Sequence, residues 1–340
     1  MSVSRPIKRR AFLSAAALAA AAAVVPASPA AATVVPASPA AARSRPPRIS
    51  TAFELPGDRV YPEGIAADPR TGAVYVGSYT TGAVYRAAPG RRRAEVFLPA
   101  GTDGRSTANG LKVDRAGRLW VIDSTSGVDV YDVRTRALLA RFEVPEGQSR
   151  FINDLAIADD GTVFLTDSVR PLVYAVTPAD LAGALGERAA LVPRYDLSGV
   201  VPPAPAPAFT LNGIAISGRW LFTVDMTGGG LYRVDLATGA VRQVDLHGGD
   251  LVDGDGLELV HGTLWAAHNK SNTISRWRLS AEGADARLEH RITSDDLQIP
   301  TTLVHERGHL LVVRSQFDKG GPMGQGTPRT PFTVARVTGI

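Results

Sequence analysis

One phrase returns along this chain at a spacing that few folds can use. "EGIAAD" begins at Glu63, "NGLKVD" at Asn109, "NDLAIA" at Asn153, "NGIAIS" at Asn212 and "DGLELV" at Asp255, and a variant, "TTLVHE", begins at Thr301. The intervals are 46, 44, 59, 43 and 46 residues, and the long one contains the Pro-rich stretch "VVPPAPAPAF" at 200–209. A period in the forties made of short strands is the mark of propeller blades. Acid or Asn followed by Gly is ordinary turn chemistry, so one such phrase means little. Five in equivalent register ask for a common cause.

Each unit also reads as four strands. After "NGLKVD" come "RLWVID", "VDVYDV" and "LLARFEV", with "RAG" and "STSG" between them. Period-two alternation broken by Gly, Asp and Asn is the strand-and-hairpin pattern. Helical periodicity is nearly absent; "TPADLAGALG" around Asp180 supports at most a short helical turn. The last unit shows only three strands, while an unattached "RISTAFEL" begins at Arg48. The expected fold is therefore an all-β, six-bladed β-propeller, its last blade closed by that N-terminal strand, which would remove the open sheet edges.

The segment before this strand reads as an export signal. Arg9-Arg10 within "KRRAFL" precedes an apolar run from Ala15 to Val25, followed by the twice-repeated "VVPASPAAA". We expect a twin-arginine signal peptide over 1–42, cleaved after Ala42, and a single propeller domain over 43–340. The run is too short, and its continuation too Pro-rich, for a stable membrane anchor. The expected destination is secreted or extracytoplasmic. The net charge of +4 comes from Arg5, Lys8, Arg9 and Arg10; the remainder carries 33 basic and 33 acidic residues. Nothing there favours nucleic acid. With no cysteine, disulfides, thiol catalysis and Cys-ligated metals are excluded.

In such a blade the innermost strand comes first, and its opening residue sits at one mouth of the central channel. Glu63, Asn109, Asn153, Asn212 and Asp255 would thus ring the axis with side-chain oxygens. Two carboxylates and several amide carbonyls suit a hard cation, Ca²⁺ first, then Mg²⁺ or Mn²⁺. No His or Cys stands at a head, which disfavours zinc. The expected metal ligands are Glu63, Asn153, Asn212 and Asp255. Second strands run back to the same mouth and end at Ser78-Tyr79, Asp123, Asp167, Asp225, His268-Asn269 and Ser315-Gln316. From these, and from the heads, Asn109, Asp167, Asp225, His268 and Thr301 are candidates for substrate contact or for orienting the ligands. Asp167 and Asp225 serve equally well as strand-ending turn residues, and His268 as a loop histidine.

These residues together resemble the regucalcin/gluconolactonase family of six-bladed propellers, related to the paraoxonase-type lactonases. "PEGIAADPRTGAVYVG" is similar to the family's opening with its metal-binding Glu, here Glu63. "NDLAIADDG", "LNGIAIS" and "DGDGLELVHGTLWAAHN" resemble the third-, fourth- and fifth-blade motifs. The resemblance implies that Glu63, Asn212 and Asp255 bind a divalent metal and that Asn153 joins it or holds substrate. Where paraoxonase-type enzymes carry a catalytic His, this chain has Asn109, so a His dyad is not implied. The Arg that regucalcin-type enzymes place just before the third-blade Asn is matched only by Arg150, three positions earlier.

The expected activity is hydrolysis of a lactone or related ester, a small-molecule substrate, with the cation polarising the carbonyl and Asp255 as ligand and general base. Asp253 is the competing acid. The rival reading is a non-catalytic exported propeller that binds a ligand or a protein around a structural calcium; an open coordination position facing a pocket would separate the two. A redox or carbon–carbon bond-forming enzyme on this scaffold has no motif in its favour.

Overall fold

In the computed structural model, which describes residues 46–340, strands follow one another almost without interruption. The expected signal peptide, 1–42, lies outside the described residues. The first blade pairs Pro62–Ala67, Val74–Ser78, Val84–Ala87 and Glu95–Leu98 as an antiparallel meander. The later blades open with inner strands Leu111–Val113, Ile152–Ile157, Leu211–Ser217, Gly254–Val260 and Leu303–Glu306. Inner strands of consecutive blades touch in chain order, and the last returns to the first. The molecule is a β-propeller.

Closure follows the sequence expectation. Arg48–Leu55 pairs antiparallel with Phe332–Thr338, from Arg48 opposite Thr338 to Leu55 opposite Phe332. It supplies the outermost strand of the sheet that begins at Leu303–Glu306. Two parallel pairings are additional. Val241–His247 runs beside Asp285–Thr293 and joins two blades into an eight-stranded sheet. Arg188–Ala190, after the short helix Pro178–Gly183, pairs with Leu138–Glu143 of the second blade. That helix is started by a reciprocal cap between Thr177 and Asp180, which ties up its first free N–H groups.

The core is divided into wedges between neighbouring blades. Trp120 and Phe142 of the second blade share one apolar cluster with Leu155 and Leu165 of the third. Phe222 and Val224 of the fourth share another with Leu264 and Trp277 of the fifth. Phe332, Val334 and Leu55 close the circle against Ile65 and Val76. A strand covered on both faces loses its alternation, and Val74–Ser78 and Val163–Asp167 are buried at every position. The outermost strand Asp285–Thr293 keeps the alternation. Truncating a wedge residue such as Leu264 to Ala would cost about 2–5 kcal/mol.

Candidate functional site

Four of the six inner strands make the same irregularity at their heads. Pro62 faces Ser78, yet Ile65 faces Val76, so Glu63 and Gly64 together oppose one residue. The shift recurs between Ile152 and Leu155, Leu211 and Ile214, and Gly254 and Leu257. A β-bulge adds one residue, bends the strand and re-aims a side chain. Here it aims Glu63, Asn153, Asn212 and Asp255 into one cavity of about 550 Å³, which Asn109 also lines.

The glycine after the head is not a turn residue. Gly64 and Gly213 lie within strands. A Cβ on Gly213 would stand 2.1 Å from the Asp255 carbonyl oxygen, and one on Gly64 would stand 2.2 Å from that of Asn109. The small residue lets the next blade's backbone pass close by, which draws the heads around a narrow axis. The repeated phrase thus combines an oxygen for the centre with room for the neighbour.

All four expected ligands are buried and each is held from behind. Asn153 donates from Nδ2 to Ser168 Oγ at 2.8 Å. Asn212 donates from Nδ2 to the Met226 sulfur at 3.3 Å, and its Oδ1 is buried with no partner. Asn269 donates to Asp255 Oδ2 at 2.6 Å. The Asn109 amide, turned to accept from Ser124 Oγ at 2.9 Å, donates to Glu63 Oε2 at 2.9 Å. Thr301 lies outside the cavity lining; its hydroxyl donates to the Glu63 carbonyl at 2.8 Å and ties the last blade to the first.

A further acid belongs to this cluster. Asp154 occupies the position that Gly holds after the other carboxylate and amide heads. Its Oδ1 accepts the Leu155 N–H at 2.8 Å, and it is fully buried. Burial raises its pKa, with the Lys112 charge opposing. Burial, then the charges of Asp255 and Asp154, push Glu63 well above the carboxylate range. Burial likewise lifts Asp255, to about 8, with the Asn269 hydrogen bond opposing and the Asp154 charge adding to the rise. Like charges out of water favour protonation unless a cation joins them.

The strand-end candidates fall one residue short of the axis. Asp167 accepts the backbone N–H groups of Phe151 and Val169 at 3.1 and 3.0 Å and pairs with Arg170. Asp225 accepts the Thr227 N–H at 3.1 Å. His268 donates from Nδ1 to the Val252 carbonyl at 2.8 Å and accepts at Nε2 from Ser275 Oγ at 2.7 Å. None of the three lines the cavity; they hold turns and blade interior. Their successors Ser168, Met226 and Asn269 perform the orienting work expected of them. Asp253, in the left-handed region at φ 59°, lines the cavity beside Asp255.

Among the described residues no three His, Cys, Asp or Glu side chains form a metal-binding group. Amide oxygens are the further side-chain donors at the heads. They fit: Asn212 Oδ1 is a buried acceptor without a donor, beside two buried carboxylates that repel each other. This is donor chemistry for a hard divalent cation.

The fold and this cluster define a β-propeller with an acidic, amide-lined axial pocket. The chain belongs to the family described as SMP-30/Gluconolactonase/LRE-like region, whose model matches residues 61–294. Among solved structures it is similar to a gluconolactonase from Xanthomonas campestris, at 17% identity and TM-score 0.57, covering 86% of this chain and 89% of that one. It is similar to the calcium-binding protein regucalcin from Agrobacterium tumefaciens, at 16% identity and TM-score 0.58, covering 86% and 97%. A virginiamycin B lyase from Staphylococcus aureus aligns at 10% identity and TM-score 0.56, covering 86% and 99%. No curated protein sequence matches the chain.

Proposed function

We propose that this protein is a divalent-cation-dependent hydrolase of a lactone or related ester. One observation carries the reading: Glu63, Asn153, Asn212 and Asp255 converge, with an unpartnered Asn212 oxygen, on the floor of a cavity large enough for a small molecule. Family membership and the gluconolactonase and regucalcin among its structural neighbours point the same way. Those four residues would hold the cation, Ca²⁺ before Mg²⁺ or Mn²⁺. When bound, it supplies Lewis-acid polarisation of the ester carbonyl and stabilises the developing oxyanion.

The chain's own residues do the rest. Asn269 fixes the Asp255 carboxylate at 2.6 Å, so that Asp255 can take the proton from an attacking water. Ser168 and Met226 accept from the Asn153 and Asn212 nitrogens, and the Asn212 oxygen is left without a donor. Asn109 presents its N–H to Glu63 and fixes that carboxylate. The cavity opening onto the heads favours a catalytic role over a purely structural calcium.

Metal analysis of the purified protein, then a panel of lactones and aryl esters with and without chelator, tests the proposal. We expect about one divalent ion per chain and turnover that chelator abolishes and Ca²⁺ restores. Bound calcium without turnover on any member of the panel would favour the non-catalytic reading. Turnover indifferent to exhaustive chelation would remove the metal from the mechanism. We also propose twin-arginine export, testable by fractionation with and without the Arg9-Arg10 pair.

A further inference from the structure

Above its acidic floor the cavity is walled by apolar side chains, arranged in two groups on opposite sides of the ring. Phe151 and Phe209, at the starts of the third and fourth blades, lie with ring centroids 4.5 Å apart. Tyr79 and Phe317, from the first and last blades, lie 5.3 Å apart. Pro322 and Met323 line the same cavity beside Phe317.

These walls are built in place. The Thr227 hydroxyl donates to the Phe209 carbonyl at 2.5 Å. Gln316 clamps Arg329 with both ends of its amide, accepting its N–H at 2.7 Å and donating to its carbonyl at 2.9 Å. The Tyr61 hydroxyl donates to the Lys319 carbonyl at 3.0 Å. Both loops are therefore held over the axis by bonds that do not involve a ligand.

Polar recognition above the floor is sparse. Lys270 is the one cationic residue among those lining the cavity, and no Arg or His is among them. Arg150 turns away to the carbonyls of Thr125 and Gln148. A polyhydroxylated sugar acid would lose water from many hydroxyls against these rings and regain only the few hydrogen bonds that Tyr79, Asp253 and Lys270 offer. An alkyl or aryl arm would gain contact on both sides.

Resting on the hydrolase reading above, we infer that the substrate is a lactone or ester carrying an apolar alkyl or aryl arm, seated between the Phe151–Phe209 and Tyr79–Phe317 pairs with its carbonyl toward Asp255. The polar sugar lactones are then poor substrates.

Two measurements on the full-length, calcium-loaded protein test this. The first compares kcat/KM for γ-lactones of increasing alkyl chain length with that for glucono-δ-lactone. The second titrates 2-alkylcyclopentanones, ring ketones that cannot be hydrolysed, by calorimetry. We expect kcat/KM and ketone affinity to rise together, roughly fourfold per added methylene, with an increasingly negative heat-capacity change. Phe209→Ser should flatten both series. Met323→Ser, on an exposed loop position, should reduce the slope while keeping the fold. If ketone affinity climbs with chain length but no lactone is cleaved, the ligand class stands and the hydrolase reading fails. If glucono-δ-lactone is turned over at least as well as the alkyl series and ketone affinity is flat, the apolar arm is wrong and the hydrolase reading survives.

Discussion

Two of the buried charge clusters among the described residues are built on opposite plans. In the second blade Asp129 sits between two guanidinium groups. Arg141 Nε donates to its Oδ1 at 2.6 Å, and Arg105 Nη1 approaches its Oδ2 at 3.4 Å. Spare donors reach carbonyls: Arg105 binds Gly82 O through Nε and Nη2 at 2.9 and 2.7 Å, and Arg141 binds Asp103 O at 2.7 Å. Almost every charge there has its opposite or a dipole. At the axis Glu63, Asp154 and Asp255 share one sign, and the Lys112 charge opposes the rise at Asp154 alone. A buried charge with its partners in the chain is architecture; one without them is addressed to something outside the chain.

The sharpest way to break this contrast is to remove one acid from each group. Asp255→Ala should lower turnover by about 10³-fold or more and abolish calcium binding, while the thermal midpoint in chelator stays the same or rises. Residual turnover near wild type would dismiss Asp255 as ligand and base, and would shift attention to Asp253. Asp129→Ala should do the reverse. It leaves two guanidinium groups uncompensated and should cost about 3–5 kcal/mol of stability by denaturant titration, with turnover per folded molecule retained. A stable Asp129→Ala protein would mean that the second-blade cluster is not as closed as its geometry indicates.

Smaller changes sharpen the same division. Ser168→Ala frees the Asn153 amide without touching a carboxylate, and should weaken calcium binding by about 10–100-fold in calorimetry. An unchanged affinity would put Asn153 outside the coordination. The smallest effect concerns His268. Burial holds its pKa below the usual histidine value of 6.5. The unfolded chain therefore binds more protons than the folded one just below that pH, and stability falls as pH drops through it. His268→Gln should shallow the acid limb of a stability–pH curve and leave the calcium affinity unchanged. A shifted calcium affinity would return His268 to the site.

Legibility in the sequence followed from how strictly each feature is repeated. The blade period and the heads were readable because four inner strands, those headed by Glu63, Asn109, Asn212 and Asp255, meet the same steric demand, an oxygen at the axis and space for the next backbone. Asp154 was missed because it stands at a Gly position, although that substitution, "NDL" in place of "NGL" or "NGI", was itself a visible signal. The helpers at the second-strand ends were placed one residue early. Side chains alternate along a strand, so a slip of one moves the whole set to the other face. Pattern alone could not tell that Asp167 and Asp225 stop at their turns while Ser168 and Met226 bond the Asn153 and Asn212 amides. The bulges were invisible for the same reason: an extra residue changes register without changing composition.

The strand Arg48–Leu55 and its partner Phe332–Thr338 come from opposite ends of the described sequence, and Thr301 fastens Glu63 only once the last blade is in position. The clasp and the chemistry are thereby made interdependent. A weakened outer edge near Ser50, far from any ligand, would loosen the acid that opens the circle, so damage at the periphery would be felt as lost function before it was seen as lost structure.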